Sequence, residues 1–156
     1  MLTPVPGQVI KLDFTAADLR TPEQRAVHGY WLEARGEAPF PPSEAIDPLR
    51  LPKSALPMIG YMEPVEPDDF VIRVAGTGIR DAVGIEFTGR KISALPGAEG
   101  ALERFLWCQR EGRPYFTEGP IAWANQHYRI YSVLALPYGS GTRVTRIMLV
   151  FGFERP

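Results

Sequence analysis

The sequence predicts an α+β fold, five strands with helices on one sheet face, and three observations lead there. Apolar residues recur at period two from Pro114 almost to the end of the 156-residue chain. Residues 98–111 recur instead at helical spacing, and two extended stretches, Leu56–Met62 and Phe70–Ala75, precede them. Strands joined by short turns form an antiparallel meander, and helices set apart from the strands cover a sheet face.

Residues 1–20, with Pro4, Pro6 and Gly7 and no sustained period, read as an irregular arm ahead of one domain spanning 21–156. Thr21, Pro22 and Gln24 make a capping box with proline at the first helical position. Ala26, Val27, Tyr30, Trp31 and Ala34 then repeat at helical spacing up to Gly36, so residues 21–36 form a helix. Its Val27, Tyr30 and Trp31 stripe has two readings: a homodimer interface, since large aromatics dominate binding energy, or packing back onto the chain's own sheet. Prolines at 39, 41, 42, 48, 52 and 57 exclude a long helix, and Ser43-Glu44 and Asp47-Pro48 mark short helical turns.

Leu56–Met62 is the first strand and Glu63–Asp69 a turn. In the strand Phe70–Ala75, Phe70, Ile72 and Val74 share one face, while Val71, Arg73 and Ala75 share the other. Gly76, Gly78, Gly84 and Gly89 leave room for only one or two helical turns. In 98–111 the apolar stripe is Ala101, Leu102, Phe105, Leu106 and Cys108, with Glu103, Arg104 and Arg110 placed off it. Tyr115–Trp123 is the third strand and Asn125-Gln126 a turn. The fourth runs from Tyr128 to Leu136, Gly139-Ser140-Gly141 is a loop, and the fifth runs from Arg143 to Phe153. Thr145, Ile147, Leu149, Phe151 and Phe153 line one face of the fifth, as suits a central strand facing the core.

Seventeen Lys and Arg against eighteen Asp and Glu leave a net charge of -1, without the electrostatic footprint of a nucleic-acid-binding protein. With 45% hydrophobic residues the chain can bury a core, which excludes disorder of the whole. Its longest apolar stretch, Ile147–Phe153, is too short to cross a membrane. Met1–Ile10 shows no export signal, so a cytoplasmic location is expected. Cys108, the single cysteine, reads as a buried structural thiol. His28 and His127 have no ligand-spaced neighbours, so no metal site is expected. Gly76-Thr77-Gly78 lacks the further glycine of a phosphate loop at Asp81, and no serine lies in a nucleophile elbow. No paired general acid and base can be placed, and an enzyme is not expected.

Several strings, taken in order, resemble a known family: Tyr30-Trp31, Phe40-Pro41-Pro42-Ser43-Glu44-Ala45-Ile46-Asp47-Pro48, Asp69-Phe70-Val71-Ile72-Arg73-Val74-Ala75-Gly76-Thr77, Phe87-Thr88-Gly89-Arg90 and Leu136-Pro137. Their order and spacing are similar to those of a bacterial family of stand-alone PAS-type domains of unknown function. The resemblance implies a PAS-like, five-stranded antiparallel sheet of strand order 2-1-5-4-3 with helices across one face, and a role in sensing or partner binding. It points to a single-domain sensor or adaptor that regulates a signalling partner, such as a histidine kinase, and takes a small-molecule ligand in its core. The alternatives are a structural interaction module with a filled core and, behind that, an enzyme using the same pocket through His127 or Arg73. Haem ligation by His28 or His127, as some PAS sensors use, is not expected, nor is any other cofactor. The ligand-site candidates are Arg73, as anchor for an anionic group, and Trp107 and Tyr131 as aromatic walls. The competing expectation pairs Arg73 with Glu86 or Glu118, or leaves it in solvent, and places Trp107 in the core.

Overall fold

The computed structural model describes residues 2, 7–95, 98–120 and 130–154. Its strands are β1 (Val9–Lys11), β2 (Ile59–Val65), β3 (Asp69–Ala75), β4 (Tyr115–Pro120), β5 (Ile130–Ser140) and β6 (Arg143–Glu154), and its helices are α1 (Pro22–Arg35), α2 (Thr77–Val83) and α3 (Glu99–Glu111). The strands form one sheet of order β1-β4-β5-β6-β2-β3, every neighbouring pair antiparallel. The expected five-strand order is therefore not matched as it stands. A sixth strand, β1, extends the sheet beyond β4, and the arm expected to be irregular contributes it. The residues expected to open the first strand, Leu56 to Met58, instead close a 3-10 helix over Lys53–Met58, after which β2 runs on to Val65. β5 likewise continues through the expected loop as far as Ser140. The turn placed at Asn125-Gln126 lies outside the described residues, as do Trp123 and Tyr128.

Helices cover both faces of the sheet, which corrects the expectation of one covered face. In β5 and β6, Tyr131, Val133 and Ala135 stand opposite Phe153, Phe151 and Leu149, and between them Ser132, Leu134 and Leu136 stand opposite Gly152, Val150 and Met148. By the strand's period of two, these sets point to opposite faces. The second set meets α1. Gln24 lies wholly buried there and donates from Nε2 to the Ser132 hydroxyl at 2.9 Å and to the Val150 carbonyl at 3.2 Å. Trp31 Nε1 donates to the Pro137 carbonyl at 2.9 Å. A Cβ at Gly152 would come within 2.9 Å of Thr21 Cγ2 and 2.7 Å of Ser132 Oγ, so glycine is what lets the start of α1 approach this closely.

The Val27, Tyr30 and Trp31 stripe is thereby accounted for. Val27 and Trp31 are buried against their own sheet, and the half-buried Tyr30 donates its hydroxyl to the Ala45 carbonyl at 2.8 Å. The interface assigned to these residues is corrected accordingly: the face of α1 that would meet a second copy is already spent on β5 and β6.

The first set meets α3. Phe105 packs edge-on against Phe70 at 6.0 Å, and Cys108 is fully buried, which pushes its thiol pKa up and keeps it protonated. Ile147 is fully buried on this face, whereas Leu149 and Phe151 are only half-buried. The reason lies in what they border.

Candidate functional site

Between this face of the sheet and the layer made by α2, α3 and the segment joining them is a cavity of about 760 Å³, within the roughly 300–1,000 Å³ typical of small-molecule sites. Leu149 and Phe151 form part of its floor, together with Val133 and Tyr131. On the β2, β3 and α2 side the walls are apolar: Met62, Ile72, Val74, Ile79, Val83 and Ile85. Val74 and Ile85 are also exposed to solvent, which puts them on the rim.

The opposite end, under β1, β4 and β5, carries the polar groups. Gln8, Arg104, Tyr115, Thr117 and Tyr131 converge there. Arg104 projects from α3 and is only 7% exposed. Its Nη1 donates to Gln8 Oε1 at 3.3 Å, and Gln8 Nε2 donates in turn to the Tyr131 hydroxyl at 3.4 Å. The Arg104 Nε is buried without any hydrogen-bond partner, and among the described residues no carboxylate pairs with this guanidinium. A buried cation without a counter-charge is costly. Burial raises the pKa of the neighbouring Tyr115 hydroxyl, and Arg104 beside it offsets only part of that rise, so the phenol stays protonated and available as a donor.

Of the three residues expected to form a ligand site, Tyr131 lines the cavity and the other two do not. Arg73 lies at an irregularity of the β2–β3 pairing, where Met62 faces Ile72 and the next residue, Tyr61, faces Val74. Ile72 and Val74 line the cavity, whereas the Arg73 side chain is 51% exposed and ion-paired to Glu63, Nε to Oε1 at 2.7 Å. Its partner is thus neither of the two carboxylates anticipated: Glu86 lies 3.5 Å from Arg80, and Glu118 3.6 Å from Arg20. The Arg73 guanidinium, with Arg146 on the second carboxylate oxygen, holds the Glu63 pKa below the usual carboxylate range. Trp107 backs the cavity rather than lining it. It packs edge-on against Tyr115 at 6.2 Å, with the Arg113 guanidinium 5.5 Å above its ring.

Arg104 was legible in principle. Ala101, Arg104, Phe105 and Cys108 stand at i, i+3, i+4 and i+7, so helical spacing alone places the arginine within the inward stripe and not off it. Gln8 carried no such signal, because its place depends on β1 pairing with β4 more than a hundred residues away. His127 lies outside the described residues. His28 is buried between the rings of Phe14 and Trp31, at 5.1 and 6.4 Å, on the α1 face and away from the cavity. Among the described residues no three His, Cys, Asp or Glu cluster closely enough to hold a metal ion.

A layered cavity of this kind, under a mixed helical cover on an antiparallel sheet, agrees with what the sequence matches: a PAS domain, over residues 19–103, more than half of the chain. The chain belongs to the PAS domain family. The matched span of this PAS domain runs from the approach to α1 into α3 and includes the apolar cavity wall on β2, β3 and α2. No curated protein and no solved structure matches the chain significantly. PAS domains are sensory or interaction modules, and among the described residues no helix of this one is long and apolar enough to cross a membrane.

Proposed function

We propose that this PAS domain is a ligand-responsive adaptor: it takes a small molecule into the cavity beneath α2 and α3 and presents its occupied and empty states to a signalling protein such as a histidine kinase. The observation that carries the reading is the cavity itself. It is apolar along one end and floor and polar at the other end, the arrangement that recognises small molecules. On this reading the cavity is assigned to binding rather than to catalysis. The only cysteine thiol is buried and protonated, and among the described residues the polar end offers a cation and hydroxyls, with no carboxylate or imidazole beside them to act as base.

Nile red, a neutral dye that fluoresces in apolar surroundings, tests the cavity directly. The unmodified protein is expected to bind it saturably, and Ala101→Trp or Val74→Trp, each placing an indole at the wall, to abolish binding with the circular dichroism unchanged. Dye binding that survives both substitutions would place the apolar site elsewhere and overturn the reading.

A further inference from the structure

We infer that the occupant is a monoanionic amphiphile, an acyl carboxylate whose headgroup is held by Arg104 and whose chain lies along the apolar trough toward β3 and α2. The inference rests on the cavity being a ligand site and adds the chemical class of the ligand.

The charge argument comes first. Arg104 is more than nine-tenths buried, and the side chains it meets, the Gln8 amide through Oε1 and the Tyr115 phenol, are both neutral. Guanidinium carries five N–H donors in a planar fork that matches a carboxylate. Here one edge of the fork, at Nε, is buried and unsatisfied, and the group borders the cavity. An anion entering the cavity would supply the missing charge and acceptors together. Space beside the fork is kept by Gly100, whose absent Cβ would stand 3.4 Å from Arg104 Nη1. The Tyr115 and Tyr131 hydroxyls and Thr117 border the same end, and among the described residues that end holds one cation. A single negative charge suits it. The other cavity-lining arginine, Arg90, lies at the far side and is exposed, so it creates no comparable demand.

The shape argument follows from the sheet order. The polar end lies under β4 and β5, and the aliphatic walls on β2 and β3 are two to four strands away. At roughly 4.8 Å per strand the trough runs about 10–19 Å across the sheet. Its walls there are the aliphatic side chains of Ile72, Val74, Ile79, Val83 and Ile85, with the exposed Arg90 beside Ile72. A flexible methylene chain fits such a trough better than a compact polar metabolite, which would leave the aliphatic end wet.

Three probes with the same tail and different heads test this by calorimetry at slightly alkaline pH and below their micelle concentrations: dodecanoate, dodecanol and dodecyltrimethylammonium. Dodecanoate is expected to bind at least about tenfold more tightly than dodecanol, and the cation not to bind. Arg104→Gln is expected to abolish the preference for dodecanoate while dodecanol binding persists. Since removing a buried arginine can disturb folding, Gln8→Glu provides a second arm. It is nearly isosteric and sets a carboxylate where Gln8 Oε1 now meets Nη1, so it should raise the melting temperature of the empty protein and erase the preference for dodecanoate. Equal binding of dodecanoate and dodecanol, or a preference that survives Gln8→Glu, overturns the assignment of the headgroup and leaves the cavity as a ligand site. Failure of all three probes together with Nile red overturns both.

Discussion

The side chain of Gln24 stands 2.9 Å from the hydroxyl of Ser132, a residue 108 positions away, while its other end closes the cap at the start of α1. One amide thus serves two levels of structure. Its Oε1 accepts from the Arg20 and Thr21 amides at 2.9 and 3.2 Å, and its Nε2 fastens the helix to β5 and β6.

Because all of these bonds are buried or half-buried, Gln24→Leu is expected to cost about 2–4 kcal/mol, the sum of a lost cap contribution and unsatisfied buried groups. Urea unfolding measures it. In a double-mutant cycle with Ser132→Ala the two changes should be less than additive, since the second removes a hydroxyl the first has already orphaned. Strict additivity would show that the pair does not interact.

Trp31 is 1% exposed against the sheet. Trp31→Ala is expected to lower stability by about 3–5 kcal/mol, read as an earlier loss of circular dichroism on heating at any protein concentration. A concentration-dependent loss with the monomer left folded would restore an intermolecular role for this stripe.

Ile147 and Phe151 lie on the same face of β6, yet one is fully buried and the other borders the cavity. Ile147→Ala should cost about 2–5 kcal/mol. Phe151→Ala should cost less than half as much, because its ring is only half-buried and borders the cavity, stacked on Phe153 at 5.7 Å. Equal costs in denaturant titration would mean that the cavity closes up in solution.

Burial, with the positive charge of Arg35 second, holds the His28 pKa below the ordinary imidazole value. The unfolded chain therefore takes up its proton first as pH falls through about 6.5, and stability declines below that point. The melting temperature should drop between about pH 7 and pH 5 with a slope that His28→Gln reduces. An unchanged slope would assign the loss to other groups.

The two arginines singled out in opposite senses give a paired test. Arg73→Ala removes a half-exposed ion pair worth at most about 1 kcal/mol, and amphiphile binding should be untouched. Binding lost in Arg73→Ala but kept in Arg104→Gln would reverse their placements.

Much of this was readable from the residues in order. The capping box at Thr21 and Gln24, the helix α3 and the last strand β6 each depend on local spacing and lie where that spacing puts them. The second covered face was also written in the chain: Val133, Leu134, Ala135 and Leu136 are four apolar residues in succession, the pattern of a strand buried on both sides. Reading them only as an alternation hid that. What local spacing does not contain is long-range pairing. Alternation alone sets Arg73 opposite Ile72 and Val74, and helical spacing alone sets Arg104 inward, but only the assembled sheet decides which of those faces borders the cavity and brings Glu63 to Arg73. β1, at three residues, is too short to announce itself by periodicity.

β1 pairs on one side only, with β4, and the residue just before it closes the polar end of the cavity. Any release of this arm would take Gln8 from the polar end, so its docking and the occupancy of the cavity would be linked equilibria, and linkage is reciprocal. A guest that tightens the arm's hold on the sheet by some factor is itself held more tightly by that same factor when the arm is docked. A protein that lent its own strand to the free edge of β4 in place of β1 would loosen the guest in proportion. News of the cavity would then leave the domain as the exchange of one short strand for another, with the sheet itself unmoved.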